Sequence, residues 1–164
     1  MAIKVIDGDL FQTTAPTICH QVNCRGKMGS GVAKQIRELY PLAYERYRLA
    51  YNREKSNPSE LLGRIQHVYC KDERTETGLR TIVNMFAQDR YGYDGQCYTD
   101  YKAFEYCLEK LKHIVPAGSA IAMPYKIGCG LAGGDWNIVY GLIDQVLGQQ
   151  YTVELWKKRY SNAF

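Results

Sequence analysis

The chain predicts an α/β fold, a three-layer α/β/α arrangement with a central mixed sheet covered by helices on both faces. Short runs of apolar and β-branched residues recur along its whole length. Segments with helical apolar spacing alternate with them. Two glycine-rich turns each follow a strand-like run and precede a helix-like one, which is the order of an α/β unit.

The elements read as follows. Ile3 to Ile6 alternates and stops at Asp7-Gly8-Asp9, a strand and a turn. Thr17 to Val22 is a second strand, with His20 inside it. Asn23 to Gly31 is the first glycine loop, and Ser30 to Leu39 then places Val32, Ala33 and Ile36 at helical spacing. Pro41 opens a helix to about Asn52, since proline suits the first helical turn, and it puts Tyr44, Tyr47 and Tyr51 on one face. Arg53 to Ser59 is a polar loop. Ile65 to Cys70 and Thr81 to Phe86 are strands joined by a charged hairpin. After a polar loop, Gln88 to Gln96, comes an amphipathic helix, Thr99 to Ile114, whose buried stripe is Phe104, Cys107, Leu108 and Leu111. A strand from Ser119 to Met123, the second glycine loop, a helix from Asp135 to Leu147 and a strand from Tyr151 to Trp156 close the chain.

Composition narrows the function classes. A length of 164 residues without a linker or repeat reads as a single domain, 1–164, large enough for a real core. The net charge of +4 comes from scattered basic residues, so it suits an anionic ligand without arguing for a nucleic-acid groove. No run approaches a membrane span, and no signal-peptide pattern opens the chain. The six cysteines form no C-x-x-C pair and several fall in apolar patterns, so reduced thiols in a cytoplasmic protein are expected rather than disulfides or zinc. A monomer is expected, with no cofactor and no metal.

The run Met123 to Trp136 holds four glycines between a strand and a helix N-terminus, where open backbone N–H groups and the helix dipole favour an anion. It matches neither the dinucleotide fingerprint nor the P-loop, which excludes a Rossmann-type dehydrogenase. Two such loops side by side could clasp one ligand with several anionic or sugar groups.

Gly8-Asp9-Leu10-Phe11, Asn23 with Gly29-Ser30-Gly31-Val32-Ala33, and Ile127-Gly128-Cys129-Gly130-Leu131 followed by Trp136 together resemble the macro domain family, over nearly the whole chain. His20-Gln21-Val22-Asn23-Cys24 resembles the His-x-x-Asn-Cys of the yeast-type ADP-ribose 1″-phosphate phosphatase. Cys24-Arg25 and Gly128-Cys129-Gly130-Leu131 resemble terminal ADP-ribose protein glycohydrolase. The resemblance implies a ligand, ADP-ribose or ADP-ribose 1″-phosphate, free or on an ADP-ribosylated protein or nucleic acid. It implies that Asp9 accepts from the adenine amino group, with Leu10 giving a backbone donor. Ile127, Gly128, Cys129, Gly130, Leu131 and Ala132 wrap the diphosphate. Asn23 bonds the distal ribose, which Gly29, Ser30, Gly31 and Val32 let the first loop approach.

The catalytic candidates are His20, Asn23, which positions the distal ribose, and Asp135, with Lys27 as a ligand-binding candidate. His20 titrates near neutrality and suits an acid or base, or is a hydrogen-bonded strand histidine. Asp135 either orients a water at the distal ribose or caps a helix. Lys27 pairs with a terminal phosphate or is solvated. Asp100 reads as a helix N-terminal residue. Two departures count against a glycohydrolase mechanism. Ala132 stands where that branch has an aspartate, and no lysine occurs between Lys71 and Lys102, with Asp89 and Arg90 near the expected position. At the adenine end, Glu154 stands where relatives carry an aromatic residue. Trp156, or the tail Lys157 to Phe164 folding back, is the expected substitute. The expected activity is hydrolysis at the distal ribose, and the alternative is a non-catalytic ADP-ribose reader.

Overall fold

The computed structural model describes residues 2–158. Its strands are β1 (Ile3–Asp7), β2 (Thr17–Asn23), β3 (Ile65–Lys71), β4 (Leu79–Gln88), β5 (Ala120–Pro124) and β6 (Thr152–Lys157). Its helices are α1 (Gly31–Leu39), α2 (Pro41–Arg53), α3 (Tyr101–Leu111) and α4 (Trp136–Leu147). The sheet order is β1-β6-β5-β2-β4-β3, parallel throughout except for β3, which runs antiparallel to β4. The sheet is therefore mixed, as the hairpin and the crossovers require.

Alternation along the strands builds a core on each face. On β2 and β4, Cys19, Val83, Met85 and Ala87 pack with Phe104, Leu108, Val139 and Ile143 of α3 and α4. Ile18 and Ile82 point the other way, onto Ile36 of α1, Ala43 of α2 and Tyr40 between the two helices. Val22 and Phe86 continue that second face against Tyr47 and Met28. Both faces of the central strands are buried, which explains why they read as nearly continuous apolar runs.

The elements differ from expectation mainly at their ends. α3 begins at Tyr101 rather than Thr99, because Asp100 accepts from the Ala103 N–H at 2.9 Å and so caps the helix. Thr99 instead makes a bridge with Gln88. Short 3-10 turns at Leu10–Gln12 and Pro58–Leu61 were not signalled by periodicity, the second falling where a loop was expected to end. Of the three α2 tyrosines only Tyr47 is fully buried.

The charged hairpin hides a buried ion pair. Arg80 is 0% exposed, and its guanidinium donates to Ala15 O and Thr13 O and meets Asp72 Oδ2 at 3.2 Å. Tyr40 donates to the same carboxylate oxygen at 2.6 Å, and Arg74 meets the other. Burial alone pushes the Asp72 carboxyl up. The Tyr40 hydroxyl, the Arg74 N–H and the two guanidinium groups outweigh it and hold the carboxyl below the usual range. All six cysteines are free, and among the described residues no helix is long and apolar enough to cross a membrane.

Candidate functional site

The parallel strands deliver the loops after β1, β2, β4 and β5 to one edge of the sheet, their carboxyl ends, where α/β folds collect ligands. Two clefts open there, of about 750 Å³ and about 410 Å³. Val32, Pro124, Tyr125, Lys126 and Gly130 line both, so the clefts adjoin. The smaller holds Asp9, Leu10 and Cys129. The larger holds His20, Asn23, Lys27, Gly29, Ser30 and Gly31 from the first loop side, and Ile127, Gly128, Leu131 and Ala132 from the second. Both glycine loops and the Asp9 turn thus meet along one continuous surface.

The second loop is folded by its own backbone. Ile127 N–H donates to Pro124 O, Cys129 to Lys126 O, Gly133 to Gly130 O and Gly134 to Gly128 O, at 2.9–3.0 Å. Lys126 and Gly128 are both left-handed, with φ of 58° and 75°. Among the described residues, the amides of Gly128, Gly130, Leu131 and Ala132 donate to no protein acceptor. Four open donors on one cleft wall are an anion cradle.

That loop is braced from below. Thr99 Oγ1 donates to Gly128 O at 2.6 Å, and Gln21 Nε2 donates to Thr99 Oγ1 and to Gln88 Oε1, both at 2.9 Å. Tyr98 and Thr99 N–H groups hold Ala132 O. Gln21 and Gln88, with Tyr91 and Tyr93 of the β4–α3 loop, also line the larger cleft and escaped sequence reading. The two tyrosines in an otherwise polar loop were the one available signal. Tyr93 OH lies 3.5 Å from Ser30 Oγ, across the mouth between the loops.

Asn23 ends β2, and its side chain shapes the first loop. Its Oδ1 accepts from Arg25 N and from Tyr47 OH, while Nδ2 donates to Lys27 O. One Nδ2 hydrogen remains for a ligand. Asp89 pairs with Arg25 at 2.9 Å and accepts from Ser59, so it serves this loop and not the cleft. Arg90 does not line the cleft either, and Gln88 and Tyr91 form the wall on each side of it.

His20 is buried, with Nε2 2.6 Å from Asn84 Oδ1. Asn84 spends its amide hydrogens on Ala43 O and Gln66 Oε1, so its oxygen is the acceptor and His20 carries its proton on Nε2. Nδ1 keeps an unpartnered lone pair. Burial lowers the imidazole pKa to about 4, with the Asn84 bond opposing it, so His20 is neutral at physiological pH. Protonation is thus penalised in the folded state. Stability is unaffected above the unfolded value of 6.5 and falls as pH drops from there toward 4. From pH 7.5 to 5 the expected loss is about 2 kcal/mol by linkage, read by urea unfolding as the part of the pH dependence that His20→Gln removes.

Asp135 stands at the start of α4, where the sequence leaves both a helix cap and a water-orienting carboxylate open. It is exposed, accepts from Asn137 N at 2.9 Å as the cap of α4, and lines neither cleft. Asp9 also caps, through Oδ1 to Phe11 N at 2.9 Å, but it does so on the cleft wall and leaves Oδ2 open. Leu10 N–H donates to no protein acceptor among the described residues. Glu154 accepts from Thr13 Oγ1 and from Trp156 Nε1 at 2.9 Å, which fixes the indole against Gly8 on the wall of the smaller cleft. Trp156 is therefore the aromatic surface at that end. Of the tail, residues 159–164 lie outside the described residues.

No protein-family model matches the chain. Individual relatives do. An ADP-ribose 1″-phosphate phosphatase of Meyerozyma guilliermondii is 31% identical over 99 residues, 55% of each protein. The chain thus spans about half the length of that relative. A second phosphatase of the same name, from Lodderomyces elongisporus, is 26% identical and is matched over 98% of its length and 93% of this chain. The "uncharacterized 17.5 kDa protein in tk-vs intergenic region" of Enterobacteria phage T4 is 32% identical over 152 residues, 88% of this chain and 89% of the phage protein. The macrodomain of Thermus aquaticus DarG superposes with a TM-score of 0.70 at 24% identity, covering 96% of this chain and 98% of that one. Thermosipho africanus DarTG in complex with ADP-ribose gives 0.72 at 21% identity, with 98% of this chain matched to 43% of that protein. These matches, on a sheet with paired glycine loops at its carboxyl edge, establish that the chain belongs to the macro domain family.

Proposed function

We propose that this protein binds ADP-ribose or a derivative and hydrolyses it at the distal ribose, with ADP-ribose 1″-phosphate as the leading substrate. The observation that carries the reading is the run of four open amides between an open carboxylate at Asp9 and an amide hydrogen at Asn23. In this arrangement adenine lies on Trp156 with its amino group on Asp9. The diphosphate lies on residues 128–132, and the distal ribose lies between Asn23 and the first glycine loop. Both named phosphatase relatives support the substrate.

In the proposed reaction a water oxygen attacks phosphorus, the bond to O1″ breaks, and phosphate and ADP-ribose leave. Such a transition state needs positioning and charge stabilisation more than covalent chemistry. Lys27 and the open amides supply the positive field, and His20 is the proton acceptor we favour.

One observation favours a non-catalytic reader instead. No carboxylate lines the larger cleft among the described residues, and Ala132 lies on its wall. The test is incubation with ADP-ribose 1″-phosphate and with ADP-ribosylated protein and DNA, beside titration with ADP-ribose. The expected result is release of phosphate, slowed at least about tenfold in His20→Ala, while ADP-ribose binding changes little. Substrates left intact by a protein that still binds ADP-ribose would sink the hydrolase and leave the reader.

A further inference from the structure

The adenosine end of the cleft carries more positive charge than adenosine calls for. Lys126, Lys157 and Lys158 line the smaller cleft, and Asp9 is its one carboxylate among the described residues. None of the three lysines forms an ion pair among the described residues. Asp9 already accepts from Phe11 N, and its open oxygen is assigned to the adenine amine. The diphosphate has its own cradle in the open amides. Among the described residues the lysines are thus left without an anion.

Their placement is not that of loose surface residues. Lys126 is the one non-glycine residue with a left-handed backbone among those described, at φ 58°, a conformation that costs a side-chain-bearing residue about 1–2 kcal/mol. Lys126 Nζ lies 5.9 Å and Lys157 Nζ 5.2 Å from the centroid of the same ring, Tyr125. Tyr125 is itself fixed edge-on to Trp136 at 5.1 Å and lines both clefts. Two ammonium groups therefore lie against one ring, and that ring lines both clefts. Lys158 follows just past the end of β6, after Trp156 and Lys157.

Resting on the ADP-ribose reading above, we propose that the smaller cleft selects a ligand with a phosphate on its adenosine ribose, esterified at the 2′- or 3′-hydroxyl. A phosphomonoester brings up to two charges to three lysines, and basic side chains at this point of a nucleotide are how other folds tell a phosphorylated adenosine ribose from a bare one. The pairs are solvent-exposed, so the preference falls as salt rises.

The test is calorimetric titration with ADP-ribose and with 2′-phospho-ADP-ribose at low and at moderate salt. A competition arm compares adenosine 2′,5′-bisphosphate, adenosine 3′,5′-bisphosphate and AMP. The same ligands are run on Lys157→Met/Lys158→Met. A phosphorylated ligand should bind at least about tenfold tighter at low salt, and the isomer that shows the gain identifies the hydroxyl. The double variant should lose that gain, so that the bare and the phosphorylated ligand bind it with equal affinity. Equal affinities of the parent protein for bare and phosphorylated ligands, with ADP-ribose binding normally, overturn the proposal alone, as does a preference that survives in the variant. Failure of every ligand to bind overturns the ADP-ribose reading and this proposal with it.

Discussion

Gly133→Ala should abolish measurable ADP-ribose binding while leaving the sheet and helices assembled. Gly133 has φ +70°, and a Cβ there would lie 2.3 Å from Gln96 O and 3.2 Å from Cys97 Cα, both backbone atoms. No rotamer change relieves that. The segment 96–99 or the turn from Gly130 to Gly133 has to move, and the left-handed backbone adds about 1–2 kcal/mol for alanine. Moving either one breaks the bonds from Tyr98 and Thr99 to Ala132 O, which set the height of the open amides. An affinity loss of at least about 100-fold, about 2.7 kcal/mol, is expected by titration calorimetry. The cost in unfolding free energy should be smaller, about 1–3 kcal/mol. Gly141→Ala is the control, since that glycine sits in α4 and its Cβ would meet nothing within 4 Å. A Gly133→Ala protein that bound ADP-ribose normally would show that the loop is not the diphosphate site.

Asp72→Ala should be the most destabilising single change, at about 3–5 kcal/mol, because it strands a buried guanidinium. Arg80 has no exposed surface, and its two carbonyl acceptors do not neutralise it. Tyr40 would lose its hydroxyl acceptor as well. Replacing the pair together, as Asp72→Leu/Arg80→Met, should recover most of the loss, since a buried ion pair owes much of its apparent strength to the cost of an unpaired charge. Urea unfolding with unchanged slope measures both. The folded Asp72 pKa is depressed, so its contribution is present above the unfolded value of 3.8 and fades as pH falls through the folded one. This acid loss lies below the His20 window and is separable from it.

Much of the architecture was legible because it is local. Short apolar and β-branched runs marked the strands, Phe104, Cys107, Leu108 and Leu111 marked the buried stripe of α3, and the four glycines after β5 marked the candidate anion loop. What stayed hidden depends on partners far apart in sequence. Gln21, Gln88 and Thr99 look like ordinary polar residues until the sheet brings them beneath Gly128. Asp72 and Arg80 fall within a hairpin that reads only as charged, because no periodicity says which of several charges turns inward. Asp135 stayed ambiguous for the opposite reason. A carboxylate at a helix start beside a glycine loop fits both a cap and a water-orienting group, and its bond to Asn137 N and its position outside the clefts support the cap.

The central claim is that one ligand spans both clefts, and a titration of the 15N-labelled protein with ADP-ribose tests it most directly. The account predicts saturable one-to-one shifts of the amides of Leu10, Asn23, Gly128, Gly130, Leu131 and Ala132, all with a single dissociation constant. Folded protein whose amides at those positions stay unmoved at millimolar ADP-ribose, or move at one end of the cleft only, would contradict it.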